Sequence, residues 1–136
     1  MILVGYLAGT AVEKKHYSSI RKREALTRKL PITGVKALPK NAVAAEMVVG
    51  HVVLSPDAFK SFLLGFYSFF GGRIKSYESL LDRARREAIL RMKEKAMAKK
   101  AAIIINLKLE EVPLNKDNSK QTITVVMVAY GTAVFV

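Results

Sequence analysis

A chain of 136 residues, 51% of them apolar, is long enough for one domain with a core of its own and an appendage. It contains no cysteine, which excludes a disulfide framework and a thiolate metal site, the strongest ligand set for soft metals. Lys and Arg number 23 against 11 Asp and Glu, a formal charge of +12, so the surface favours anionic partners: acidic lipid headgroups, nucleic acid or phosphorylated ligands.

The first twelve residues, MILVGYLAGTAV, are apolar, with small residues at Gly5, Ala8, Gly9 and Ala11. A basic cluster follows, with Lys14, Lys15, His16, Arg21, Lys22, Arg23, Arg28 and Lys29. An apolar segment followed by a basic one is the pattern at the cytoplasmic end of a membrane helix. Twelve residues, however, make only about 18 Å of helix, and roughly 20 are needed to span. No basic region precedes the apolar part, which argues against a secretory signal. The segment reads as a peripheral anchor, an oligomer contact, the tail of a longer membrane helix or a docked terminal helix. From Glu13 to Lys29 the lack of Gly and Pro predicts a helix. Its large apolar residues are Tyr17, Ile20 and Leu26, a sparse stripe that suits a solvent-exposed helix or a stalk. Pro31 stops it. Residues 30–41, with Pro31, Gly34 and Pro39, read as an extended linker, which divides the chain into an appendage at 1–29, a linker at 30–41 and a domain at 42–136.

Residues 42–55, AVAAEMVVGHVVLS, predict a first strand that is apolar on both faces, unlike a strand covered on one face only. Gly50 within it signals a bulge or a close backbone approach. Ser55 as N-cap, Pro56 in the first turn and Asp57 at the positive end of the dipole open a helix over residues 58–70. Phe59, Phe62, Leu63, Phe66, Tyr67 and Phe70 recur along it at helical spacing, a core stripe, and Gly71-Gly72 ends it. The longest helical pattern covers 76–99. Tyr77, Leu81, Ala84, Ala88, Met92 and Ala96 line one face, with Leu90 and Met97 roughly opposite, and the small Ala84 and Ala88 allow close packing on a sheet. Asp82 with Arg86, and Glu87 with Arg91, form i,i+4 pairs on its charged surface.

Residues 101–112 predict a second strand, with Ile103, Ile105, Leu107 and Leu109 on one face and Ile104, Asn106, Lys108 and Glu110 on the other. Residues 113–120 form a polar hairpin loop, and 121–136 a last strand, again apolar on both faces. The order is strand, helix, helix, strand, strand. Two helices can cover one face of a three-stranded sheet; the other face is left for neighbours, so a homo-oligomer is expected in which sheets or their edges meet.

The corner Phe70-Gly71-Gly72-Arg73, followed by Tyr77-Glu78, Ala84-Arg85 and Ala88, resembles the YbjQ-like family, small bacterial and archaeal proteins labelled "putative heavy-metal-binding". The closing Tyr130-Gly131-Thr132-Ala133-Val134 and the earlier Val49-Gly50-His51-Val52-Val53 also fit, so the resemblance covers residues 42–136. It implies an α+β fold: a β-α-α-β-β subunit with a three-stranded antiparallel sheet and its helices on one face, dodecin-like, assembled into a ring that is typically a pentamer.

The expected function is a non-enzymatic homo-oligomeric scaffold or small-ligand-binding protein, cytoplasmic and at the cytoplasmic face of the membrane through its N-terminal segment. Lys14, Lys15, Arg21, Lys22 and Arg23 would face the anionic lipid surface. Arg73 and Arg85 are the candidate ligand contacts; Arg73 stands near a helix N-terminus, where backbone N–H groups favour anions, and is equally suited to clamp a neighbouring carboxylate. The alternative function is a divalent or heavy-metal-binding protein with sites between subunits. Where several relatives carry acidic residues in the middle strand this chain has Asn106 and Lys108, which restricts donors to His51, Glu46 and Glu110. Zinc and copper sites converge three or four ligands, so no cofactor is expected. Nor is nucleic acid, because the aromatics fall on core spacings rather than on a basic sheet face. The chain lacks a Gly-rich phosphate loop, a nucleophile elbow and an HExxH motif, so catalysis is not expected.

Overall fold

The computed structural model of the chain describes residues 2–55, 73–115 and 123–136. They form α1 (Ile2–Thr27), β1 (Ala44–Leu54), α2 (Arg73–Ala98), β2 (Ile103–Asn115) and β3 (Ile123–Phe135). The helix expected at 58–70, its Pro56-Asp57 start, the Gly71-Gly72 corner and residues 116–120 of the loop expected at 113–120 lie outside the described residues, while residues 113–115 belong to β2 rather than to that loop.

The three strands make one sheet in the order β1-β3-β2, with β3 antiparallel to both neighbours. The α+β class and the antiparallel three-stranded sheet are as expected. The strand most apolar on both faces, β3, takes the centre, where its Met127, Ala129, Ala133 and Val134 are fully buried. α2 lies across the sheet on the side of Val48, Met127, Ala129 and Ala133, against which it packs Ala84, Ala88, Met92 and Ala96. The contact is close because both partners are small. A Cβ on Gly50 would stand 2.1 Å from the carbonyl oxygen of Ala88 and 2.5 Å from the nitrogen of Met92. Gly50 thus marks a close backbone approach.

β2 departs from its expected alternation. Asn106 has φ 53°, and the pairing with β3 shifts between Ile105 and Lys108. Asn106 and Leu107 together stand opposite Gly131, a bulge placed at a residue type that tolerates the left-handed region. Alternation therefore changes phase. Ile103 and Ile105 share a face with Lys108, Glu110, Val112 and Leu114, not with Leu107 and Leu109.

The N-terminal region also differs. α1 is one helix from Ile2 to Thr27 rather than a free stalk. It runs parallel to α2, Tyr17 reaching Ser79 and Glu24 reaching Arg86, each 62 residues on. Ile20 is fully buried and Thr27 nearly so. The stretch read as a linker is extended but fastened at its start. Leu30 joins the core, and Pro31 to Val35 run beside β2: Thr33 N–H donates to Ile104 O (2.9 Å), Ile104 N–H to Pro31 O (3.0 Å), Leu107 N–H to Thr33 O (3.1 Å) and Asn106 N–H to Val35 O (2.9 Å).

Candidate functional site

The face of the sheet turned away from α2 is built of cross-strand rows. The register sets Met47, Thr132 and Ile105 in one row, then Val49, Tyr130 and Lys108, then His51, Val128 and Glu110, then Val53, Val126 and Val112. Val134 and Ile105 are buried at one end of this face. Toward its outer strands it is exposed, Met47 by 68%, Val53 by 55%, Leu114 by 50% and Val112 by 38%, while Val49, Val126, Val128, Tyr130 and Thr132 are half-buried. Lys108 and Glu110 are the charged residues of these rows and cancel, on a chain whose formal charge is +12. The Tyr130 hydroxyl donates to Glu110, and that hydrogen bond raises the phenol above its ordinary value.

The edges of the sheet are obstructed. On β1, Lys95 Nζ donates to Val49 O (2.8 Å) and Arg91 to His51 O (2.9 Å), while Lys99 pairs with Glu46. The cations of α2 thus line the strand edge, a known device against edge pairing. Along the outer edge of β2, residues 31–35 occupy the part before and through the bulge. Beyond it, the N–H of Leu107 points outward to Thr33, and alternation puts Leu109, Glu111 and Pro113 in the same outward position. Pro113 has no N–H to offer there. Arg91, Lys95, Glu94 and His51 line a shallow cleft at the β1 edge.

A charged cluster joins α1 to α2. Arg23 donates through Nε and Nη2 to Glu94 (2.6 and 2.9 Å) and through Nη1 to both oxygens of Glu87 (2.9 and 2.8 Å). Arg91 Nε adds a bond to Glu87 (2.9 Å), and Arg86 grips Glu24 with two bonds of 2.8 Å. Burial alone would push the Glu87 carboxyl up, but the hydrogen bonds from Arg23 and Arg91 outweigh it and hold the group below its ordinary value. The Arg86 hydrogen bond does the same for Glu24. Burial lowers the Lys93 ammonium.

The residues singled out from sequence fall apart in space. Arg73 is the first residue of α2, and its side chain lies outside the described residues. Arg85 is exposed and ion-paired to Glu111 at 2.6 Å. Of the metal candidates, Glu46 lies on the α2 side of β1 and is held by Lys99. His51 is exposed on the other face. Glu110 shares the row of His51 but stands beyond Val128, two strand spacings or about 10 Å away. Among the described residues no three His, Asp or Glu side chains come together. A zinc or copper site needs three or four converging ligands, and His51, Glu46 and Glu110 of one chain do not converge. Lys14, Lys15, Arg21 and Lys22 are exposed, and Arg23 is turned inward to Glu87 and Glu94. No helix among the described residues is long and apolar enough to cross a membrane. Sequence reasoning missed the inter-helix cluster. Its one signal was Glu87 and Glu94, seven residues apart and so on one face of α2.

The family described as "Putative heavy-metal-binding" (YbjQ) matches residues 31–136. A UPF0145 protein of Clostridium kluyveri is 37% identical over 105 residues, covering 77% of this chain and 92% of the relative. One from Acetivibrio thermocellus is 39% identical over 90 residues, with coverage of 66% and 81%. A crystal structure of a protein of unknown function from Pediococcus pentosaceus, of the DUF74 family, matches with a TM-score of 0.50 at 20% identity, over 79% of this chain and 97% of that one, a likeness of fold. The family match takes in the extended stretch beside β2 and leaves α1 outside it.

Proposed function

The chain belongs to the YbjQ family, described as "Putative heavy-metal-binding", and on that basis we propose that it is a non-enzymatic, homo-oligomeric scaffold or small-ligand-binding protein whose copies meet through the open sheet face. The observation that carries this is the contrast between that face and the rest of the molecule. Two chains of formal charge +12 repel each other everywhere except where local charge cancels. In the rows from Met47 to Val53 most side chains are apolar, Met47 and Val53 are largely exposed, and the charges of Lys108 and Glu110 cancel. An anionic partner would settle on the basic helices instead. Edge pairing is disfavoured, since Arg91 and Lys95 occupy outward carbonyls of β1 and Pro113 removes a donor from β2. Contact through the open face is what remains; a closed ring, with five copies as the expected number, forms if that face meets a different surface of the next copy rather than its own counterpart.

Native mass spectrometry of the purified chain tests this: one species at a fixed multiple of 15.1 kDa is expected. A monomer at every concentration overturns it. The same spectrum addresses the alternative of a metal held between copies, which would draw on His51 and Glu110 from more than one chain. Attachment at the cytoplasmic face of the membrane is a second, compatible reading, favoured by the exposed cations of α1.

A further inference from the structure

The two sides of α1 are used differently. Tyr17, Ile20, Arg23, Glu24 and Thr27 turn toward the body of the protein, where they are buried or bonded to α2. At 3.6 residues per turn, Lys14, Lys15, Arg21 and Lys22 fall on the opposite side within a sector of about 120°. All of them are exposed, as are Ser18 between them and Arg28 and Lys29 in the turn that follows. From residue 14 to residue 29 the one carboxylate is Glu24, and Arg86 holds it on the inner side. Among the described residues no ion pair engages Lys14, Lys15, Arg21 or Lys22. Upstream, the same unbroken helix is apolar in sequence from Ile2 to Val12. The offset of 62 residues between facing positions sets Ala11 level with Arg73. The first turns of α1 thus run past the start of α2, by about 13 Å.

We infer that this strip is a docking surface for an anionic lipid bilayer, with Lys14, Lys15, Arg21 and Lys22 at the headgroups and the apolar first turns of α1 at the acyl boundary. The inference rests on the membrane-surface reading above and is independent of the oligomer. Lipid is favoured over nucleic acid by the apolar stretch, which has no counterpart on a phosphodiester backbone. A single apolar insertion binds weakly, and an adjoining basic patch supplies the second attraction that stable attachment requires. Arg23 is not part of the surface, because its guanidinium is engaged by Glu87 and Glu94.

The test is co-sedimentation of the full chain with vesicles of phosphatidylcholine containing phosphatidylserine, and with phosphatidylcholine alone. Binding is expected only to the former, weakening as salt is raised. The combined variant K14Q/K15Q/R21Q/K22Q should lower partitioning roughly a thousandfold, about fivefold per cation. Its helix content by circular dichroism and its mass in native mass spectrometry should not change. The control K36Q/K40Q, exposed cations outside α1, should bind as the natural chain does. Equal binding to both vesicles, or undiminished binding by the four-site variant, overturns the inference. So does a shift of duplex DNA by the natural chain without vesicle binding, which assigns the strip to nucleic acid. A monomeric mass would count against the oligomer alone.

Discussion

Glu87 is 6% exposed and accepts hydrogen bonds from Arg23 and Arg91, and its pKa consequently lies below the ordinary 4.5. A carboxylate whose folded pKa is depressed contributes stability above its unfolded pKa and loses it as pH falls through the folded one. Glu24, held by Arg86, acts in the same direction. Stability should therefore be level at neutral pH and begin to fall as the pH drops below about 4.5, continuing downward from there. Urea midpoints measured across that range should show this fall in the natural chain and a shallower one in Glu87→Gln. An equally steep fall in the variant would show that the acid sensitivity arises elsewhere. Gly50 offers a second single-residue test. Because the atoms a Cβ would strike are backbone of α2, the helix itself must move. Gly50→Ala should cost about 1–3 kcal/mol, the usual range for overpacking, read as a lowered urea midpoint. The need for Gly50 was legible in the sequence, since a glycine set among Val48, Val49, Val52 and Val53 weakens a strand unless another backbone comes close to it or the strand bulges there. The turn at Asn106 was not. The run from Ile103 to Leu109 alternates regularly on paper, and only the left-handed backbone at Asn106 changes which residues share a face.

At the scale of elements, β1, α2, β2 and β3 could be read from periodicity because each buries a patterned apolar face. The docking of α1 could not. Among the described side chains of α1, Ile20 is the fully buried large one, and the contacts with α2 are otherwise the Tyr17–Ser79 hydrogen bond and ion pairs whose partners lie 62 to 71 residues away. A sparse apolar stripe looks the same on a free stalk and on a helix held by charges. The two are told apart by removing the central cation. Arg23→Ala leaves the nearly buried Glu87 with Arg91 as its remaining ion-pair partner and should cost about 1–3 kcal/mol. Hydrogen exchange should accelerate in α1 between residues 14 and 27 while β3 keeps its protection. Unchanged exchange in α1 would mean that Ile20 and the tether at residues 31–35 hold the helix unaided. That tether was also obscure in sequence, because Pro31 and Gly34 are typical of unpaired chain, whereas here the carbonyls of Pro31 and Thr33 accept hydrogen bonds from β2.

For the whole molecule, the surplus of apolar residues over what one helix layer can cover was visible from the two-sided strands. Its location was not, because the register and the bulge decide which side chains reach the open face. Met47 and Val53 stand near opposite ends of the open rows on β1, 68% and 55% exposed. Replacing both by Glu should leave the monomer's fold intact, since neither side chain is buried. In an assembly through the open face, however, the same carboxylates would be desolvated without a partner on every copy, which is strongly unfavourable. Met47→Glu with Val53→Glu should therefore shift the protein to monomers in native mass spectrometry while leaving its thermal unfolding transition cooperative. Leu26→Glu is the matched control: Leu26 is 73% exposed, but on α1, away from the sheet, and its replacement should leave the assembly at its original mass. If the Leu26 variant alone dissociates, the copies meet through α1, and the open face is free for another ligand.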